Sequence, residues 1–218
     1  MLNDCQNNIH FSARPRYKKP LKKVSDAVQL TLSGVESPNK MIHSGFEQPN
    51  SYVRDLNSKL AYIRTFMKRV LAEDGIVGYF IEQIGLVKRF RIAHCNEYAE
   101  ITKTALKANG IKNADVYNLY VQSNSGKIRQ IDHAVTAIGV KPSRKSALKP
   151  FVPRSGVQII DSYYDGFCGK ISDARKMYCD QQLIQPNETL MLAKIPTIEP
   201  NQEALNEVKK AFPTLVIR

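Results

Sequence analysis

The stretch from Ala93 to Val140 limits most narrowly what this chain can fold into. AHCNEYAEITKTALKAN is rich in Ala, Leu, Glu and Lys, which lose least on entering a helix, and Gly110 stands where a helix end favours glycine. Glu97 and Glu100 near its start and Lys103 and Lys107 near its end complement the helix dipole. At about 100° per residue these four charges share one face, and Cys95, Ala99, Thr102 and Leu106 share the opposite, core-facing one. That puts Cys95 in the first turn, pointing inward. VYNLYVQ and IRQIDHAVTAIGV follow as strands around the turn SNSGK, and VQIIDSYYD is a third strand closed by Asp165-Gly166. The expected fold class is α+β, with a central helix bearing Cys95 packed on a mainly antiparallel sheet bearing His133 and Asp161.

The flanks complete this plan. Leu56, Leu60, Ile63, Met67 and Val70 recur at steps of three and four, which predicts a helix over 52–71. IVGYFIEQIGLV reads as a short buried helix. SDARKMYC reads as a helix with Ser172 as its N-cap, LMLAKI as a strand, EALNEVKKAF as a helix and TLVIR as a last strand. Residues 1–50 read as a basic, loosely ordered segment in which only VSDAVQLTL can form an element, and residues 51–218 as the folded domain. A chain of 218 residues that is 43% hydrophobic can build one real core.

The net charge of +12 favours acidic partners, nucleic acid or anionic membranes. Part of it lies in RPRYKKPLKK, residues 14–23, a solvated arm able to meet an acidic partner or anionic surface. No apolar run is long enough for an integral membrane segment, and the N-terminus lacks the pattern of a secretory signal peptide. Cys5, Cys95, Cys168 and Cys179 are scattered, without zinc-binding spacing or a disulfide framework, and read as reduced thiols. No metal motif or phosphate loop appears, so neither a metal nor a cofactor is expected.

The chemistry rests on three residues. A thiol in the first turn of a helix meets the positive end of the dipole and unpaired N–H groups, which favour thiolate and can hold an oxyanion. His133 lies inside an apolar strand, on a face with Ile131, Val135 and Ala137 by alternation, and needs a polar partner there. Asp161 ends the apolar run VQII. A nucleophilic cysteine needs a base within reach, and the base needs a third group to hold its ring. A cysteine at a helix start, a histidine in one strand and an aspartate in the next meet that need if the strands are neighbours. Tyr163 and Tyr164 are candidates for lining the cleft. His94 reads as a rim residue, and Cys168 as a thiol that can approach the site.

HCNEYAEI, DHAVTAIGV and VQIIDSYYDG, in this order, resemble the core of transglutaminase-like proteins within the papain-like superfamily, including secreted bacterial effectors. The resemblance covers roughly residues 90–165. It implies Cys95 as nucleophile, His133 as general acid/base and Asp161 as orienting carboxylate. It further implies acyl transfer or hydrolysis at protein amides (transglutaminase, deamidase or protease), a host protein as substrate, and delivery from a bacterium into the host cytosol. The chain departs from the pattern in having no tryptophan and no glutamine just before Cys95. Gln83 is twelve positions upstream and would need an intervening loop, so the second oxyanion donor stays unassigned. The alternative reading is a non-catalytic basic module binding nucleic acid or an anionic membrane through residues 14–23 and the KPSRK run at 141–145.

Overall fold

The computed structural model describes residues 18–36, 50–140, 148–164 and 166–217. The elements in chain order are α1 (Lys18–Thr31), α2 (Asn50–Glu73), α3 (Gly75–Phe90), α4 (Cys95–Ala108), β1 (Ala114–Gln122), β2 (Ile128–Ile138), β3 (Gln158–Asp161), β4 (Phe167–Lys170), α5 (Ile171–Asp180), β5 (Thr189–Lys194) and α6 (Gln202–Ala211). A single 3-10 turn, Pro213–Leu215, follows. The strands form one sheet in the order β4-β3-β2-β1-β5, and every neighbouring pair is antiparallel. The fold is therefore α+β.

The sheet separates two apolar clusters. One joins α1, α3, α4 and α6 to the face bearing Val116, Ala134 and Ile160. The other lies beneath the opposite face, where Ala174 and Tyr178 of α5 meet Val135, Ile159 and Leu192. A third, made by the predicted stripe Leu56, Leu60, Ile63, Met67 and Val70, seats α2 against Leu86 and Ile92.

α4 is the pivot. The Thr136 hydroxyl donates to the Ala99 carbonyl at 2.7 Å and ties the helix to β2. Its charged face, expected in solvent, is largely covered: Glu97 and Lys103 are buried. α2 supplies Arg64 to Glu97, α3 supplies Tyr79 and Gln83 to Glu100, and residues 197–199 close over Lys103. The C-terminal end of α4 is tied as well. Asn109 Nδ2 donates to the Leu215 carbonyl at 2.7 Å, and the Ile217 N–H donates to Asn109 Oδ1 at 2.8 Å.

Three sequence expectations change. In the segment read as loosely ordered to residue 50, the one candidate element, VSDAVQLTL, lies in α1, which starts earlier, at Lys18, and buries Leu21, Val24 and Val28 in the main core. The part of the basic run that lies in α1 is thus helical, with Lys19, Lys22 and Lys23 exposed on its outer side. The N-cap of α5 is Lys170, not Ser172. Thr214 and Leu215 of the expected strand TLVIR lie in the 3-10 turn instead, because Leu215 turns into the core and its carbonyl is taken by Asn109. β4 was not anticipated. The turn before it needs Gly166, where φ is +64° and a Cβ would meet Gln29 Oε1 of α1 at 2.7 Å. Cys5, His10, His43, residues 14–17 and the KPSRK run lie outside the described residues.

Candidate active site

Cys95 is the first residue of α4 and is buried at 6% exposure. Its backbone N–H is among the four at a helix start that have no intrahelical acceptor. The start is fixed from outside. Glu97 Oε2 accepts the His94 N–H at 3.0 Å, and its carboxylate takes both Nε (2.8 Å) and Nη2 (3.2 Å) of Arg64. A carboxylate at the third helical position that reaches back to the N-cap amide is one half of a capping box. The sequence pattern gave Glu97 a dipole role only; its capping role needed Arg64 from a distant helix to complete it.

His133 stands where β2 departs from regular pairing. Between the pairs Asn118↔Ala134 and Tyr120↔Gln130, β2 has three residues and β1 one. Such a bulge re-aims side chains, so alternation along the strand does not fix the direction of His133. Pairing between β2 and β3 ends at Thr136↔Ile160. Beyond it the two strands separate, and the imidazole meets the carboxylate that ends β3. His133 Nε2–H donates to Asp161 Oδ2 at 2.7 Å, with both side chains almost fully buried. Cys95 also acts on the charge of the His133 ring. With Nε2 committed to Asp161, Nδ1 is the nitrogen left to face the sulfur.

Asp161 is held on every side. Oδ1 accepts the backbone N–H groups of Tyr163 (3.1 Å) and Tyr164 (3.3 Å), and Oδ2 also accepts the Tyr178 hydroxyl at 2.7 Å. The next residue is anchored too: Ser162 Oγ lies 2.9 Å from both Ser25 Oγ of α1 and Thr102 Oγ1 of α4. Three tyrosine rings surround the imidazole, with centroids at 5.5 Å (Tyr163), 5.0 Å (Tyr164) and 5.7 Å (Tyr178).

Burial alone would discharge His133. The Asp161 charge and hydrogen bond, joined by Cys95, outweigh it and push the imidazole up to about 10. The Tyr178 phenol is raised well above its ordinary value by burial and by the charge of Asp161 that it serves. His94 is shifted the other way. Its burial lowers it and Arg64 adds to that, against the opposing charges of Glu97 and Asp132. It stays at the rim, as expected, with Nε2 3.4 Å from Asn57 Oδ1.

The three residues singled out from the sequence are thus brought together, and the rings of Tyr163 and Tyr164 pack against His133. Gln83 does not join them. It lies within α3, where its amide donates to Glu100. Cys168 and Cys179 are half-buried thiols that form no disulfide among the described residues. Tyr178 was not foreseen. The available signal was Ala174 and Tyr178 on one face of a predicted helix, since a buried tyrosine generally seeks a polar partner for its hydroxyl.

Among the described residues no helix is long and apolar enough to cross a membrane. Comparison with protein-family models, with curated proteins and with solved structures finds no match.

Proposed function

We propose that this chain is a papain/transglutaminase-type cysteine enzyme that transfers or hydrolyses protein acyl groups at amide bonds. The observation that carries the reading is Cys95 at a helix start acting on the ring of His133, which is hydrogen-bonded to Asp161 and held protonated by its surroundings. In the proposed step, Cys95 as thiolate attacks the amide carbon while His133 carries the proton. The carbonyl electron pair moves to oxygen, where the Cys95 backbone N–H receives it. As the C=O bond re-forms, the C–N bond breaks and the His133 proton goes to the departing amine, leaving a thioester on Cys95. Water or an amine then attacks the thioester, gives its proton to His133 and releases the thiolate. Water yields a protease or deamidase, and an amine yields a transglutaminase. The resemblance to effector motifs supports a host protein as substrate and the host cytosol as the place of action.

Iodoacetamide alkylation of the four thiols tests this reading. At about pH 6, Cys95 reacts ahead of the other three in the native protein, and His133→Ala removes its lead. Equal behaviour of Cys95 in both proteins would defeat the proposal. The basic surface would then become the subject of salt-dependent binding measurements.

A further inference from the structure

The reaction needs a second donor at the carbonyl oxygen, which the sequence leaves unassigned, and Gln83 is committed to Glu100. Of the three tyrosines around His133, two are sealed: Tyr163 is 2% and Tyr178 0% exposed. The Tyr178 hydroxyl is already given to Asp161. Tyr164 differs. It is half-buried, and it packs against both the cluster that contains Cys95 and the cluster beneath the opposite face of the sheet. Its backbone N–H is fastened to Asp161 Oδ1, and its ring stands edge-on to His133 at 5.0 Å. Its hydroxyl has no hydrogen-bond partner among the described residues.

Resting on the reading above, we infer that Tyr164 is a further catalytic residue, whose O–H donates to the oxyanion formed when Cys95 attacks an acyl carbon. A donor that touches the oxygen only as charge develops there acts on the transition state rather than on substrate binding. The phenol is suited to this role. Burial, with the charges of Asp161 and Cys95 adding to it, pushes it up to about 12, so it keeps its proton throughout the working range. Its ring stands 5.0 Å from His133 and packs against the cluster that contains Cys95, which places the phenol beside the reacting pair. The proton is shared with the oxyanion and not transferred. When the C=O bond re-forms, the hydrogen bond weakens and Tyr164 is unchanged.

Two reactions at the same sulfur separate this role from a structural one. Acylation by p-nitrophenyl acetate passes through an oxyanion, whereas alkylation by iodoacetamide displaces iodide directly and does not. Tyr164→Phe keeps the ring against His133 and removes only the hydroxyl. It is expected to slow acylation of Cys95 about 100-fold with little change in KM, while alkylation stays within about twofold of the native rate. The unchanged alkylation also shows that the Cys95–His133 pair has survived the substitution. If Tyr164→Phe acylates as fast as the native protein, or loses both reactions equally, the inference is overturned and the Cys95 reading stands. If native Cys95 undergoes neither reaction, both fall.

Discussion

Two cations, Lys103 and His133, are buried among the described residues, and they are treated differently. Lys103, in the middle of α4, is 1% exposed, yet its ammonium reaches the Thr197 hydroxyl (2.7 Å), the Ile198 carbonyl (2.7 Å) and a half-exposed carboxylate, Glu199 (3.2 Å). Burial wins, and its pKa is lowered, with Lys107 adding to the effect against Glu199 and Glu100. His133 is answered by a carboxylate as buried as itself, by a thiol and by three aromatic rings, and its pKa is raised. Aromatic faces favour a cation electrostatically. The lesson is that burying a charge does not by itself mark a functional site. Lys103 fastens a distant segment to α4, and its donors are spent. His133 keeps one nitrogen free of Asp161, on the side of Cys95.

The comparison can be broken most directly by substitution on each side. Asp161→Asn is expected to lower kcat on the order of 10⁴-fold, since the ring loses the charge that orients it. Leaving His133 buried without its counter-charge should also cost about 3–5 kcal/mol in urea unfolding. Lys103→Met should cost about 1–2 kcal/mol and leave kcat within about twofold. Comparable losses of kcat in the two variants would erase the distinction.

The pH dependence of stability sharpens it, because the two cations pull in opposite directions. The unfolded chain releases the histidine proton near its ordinary 6.5 and the native state holds it to about 10. The stability His133 contributes is complete below the lower value and is lost as pH rises through the upper one. The slope reaches at most about 1.4 kcal/mol per pH unit. For Lys103 the native value lies below the unfolded one, so stability rises with pH through that alkaline interval. Unfolding measured from pH 6 to about pH 10 should lose its downward component in His133→Gln and its upward component in Lys103→Met. A His133→Gln curve parallel to the native one would contradict the raised imidazole.

The smallest effect expected is that of Tyr178→Phe. It removes one hydrogen bond to Asp161 and leaves the ring beside His133. About 2 kcal/mol of stability should be lost, as for a bond to a charged acceptor. A loss below about 0.5 kcal/mol would show that the two backbone N–H groups suffice to hold the carboxylate.

The sequence made some of this visible and concealed the rest for physical reasons. Periodicity located α2, α3, α4 and the hairpin, because each buries a face through its own local pattern. The same periodicity placed Glu97 and Lys103 in solvent. Their partners, Arg64 and residues 197–199, are distant in the chain, and local spacing carries no information about them. Residue type and chain order sufficed to select Cys95, His133 and Asp161, although the bulge that aims His133 was not legible. Tyr178 looked like core filling, since an aromatic on the apolar side of a helix does not announce what its hydroxyl will meet. The terminal run of β-branched residues suggested a strand, and its fate was decided by Asn109, about a hundred residues earlier.

That tie has a consequence for assembly. α4 is seated by partners about a hundred residues further along the chain: Lys103 takes Thr197, Ile198 and Glu199, and Asn109 takes Leu215 and Ile217. A chain cut before residue 197 keeps Cys95, His133 and Asp161 in its sequence and lacks the segment that holds the helix bearing Cys95.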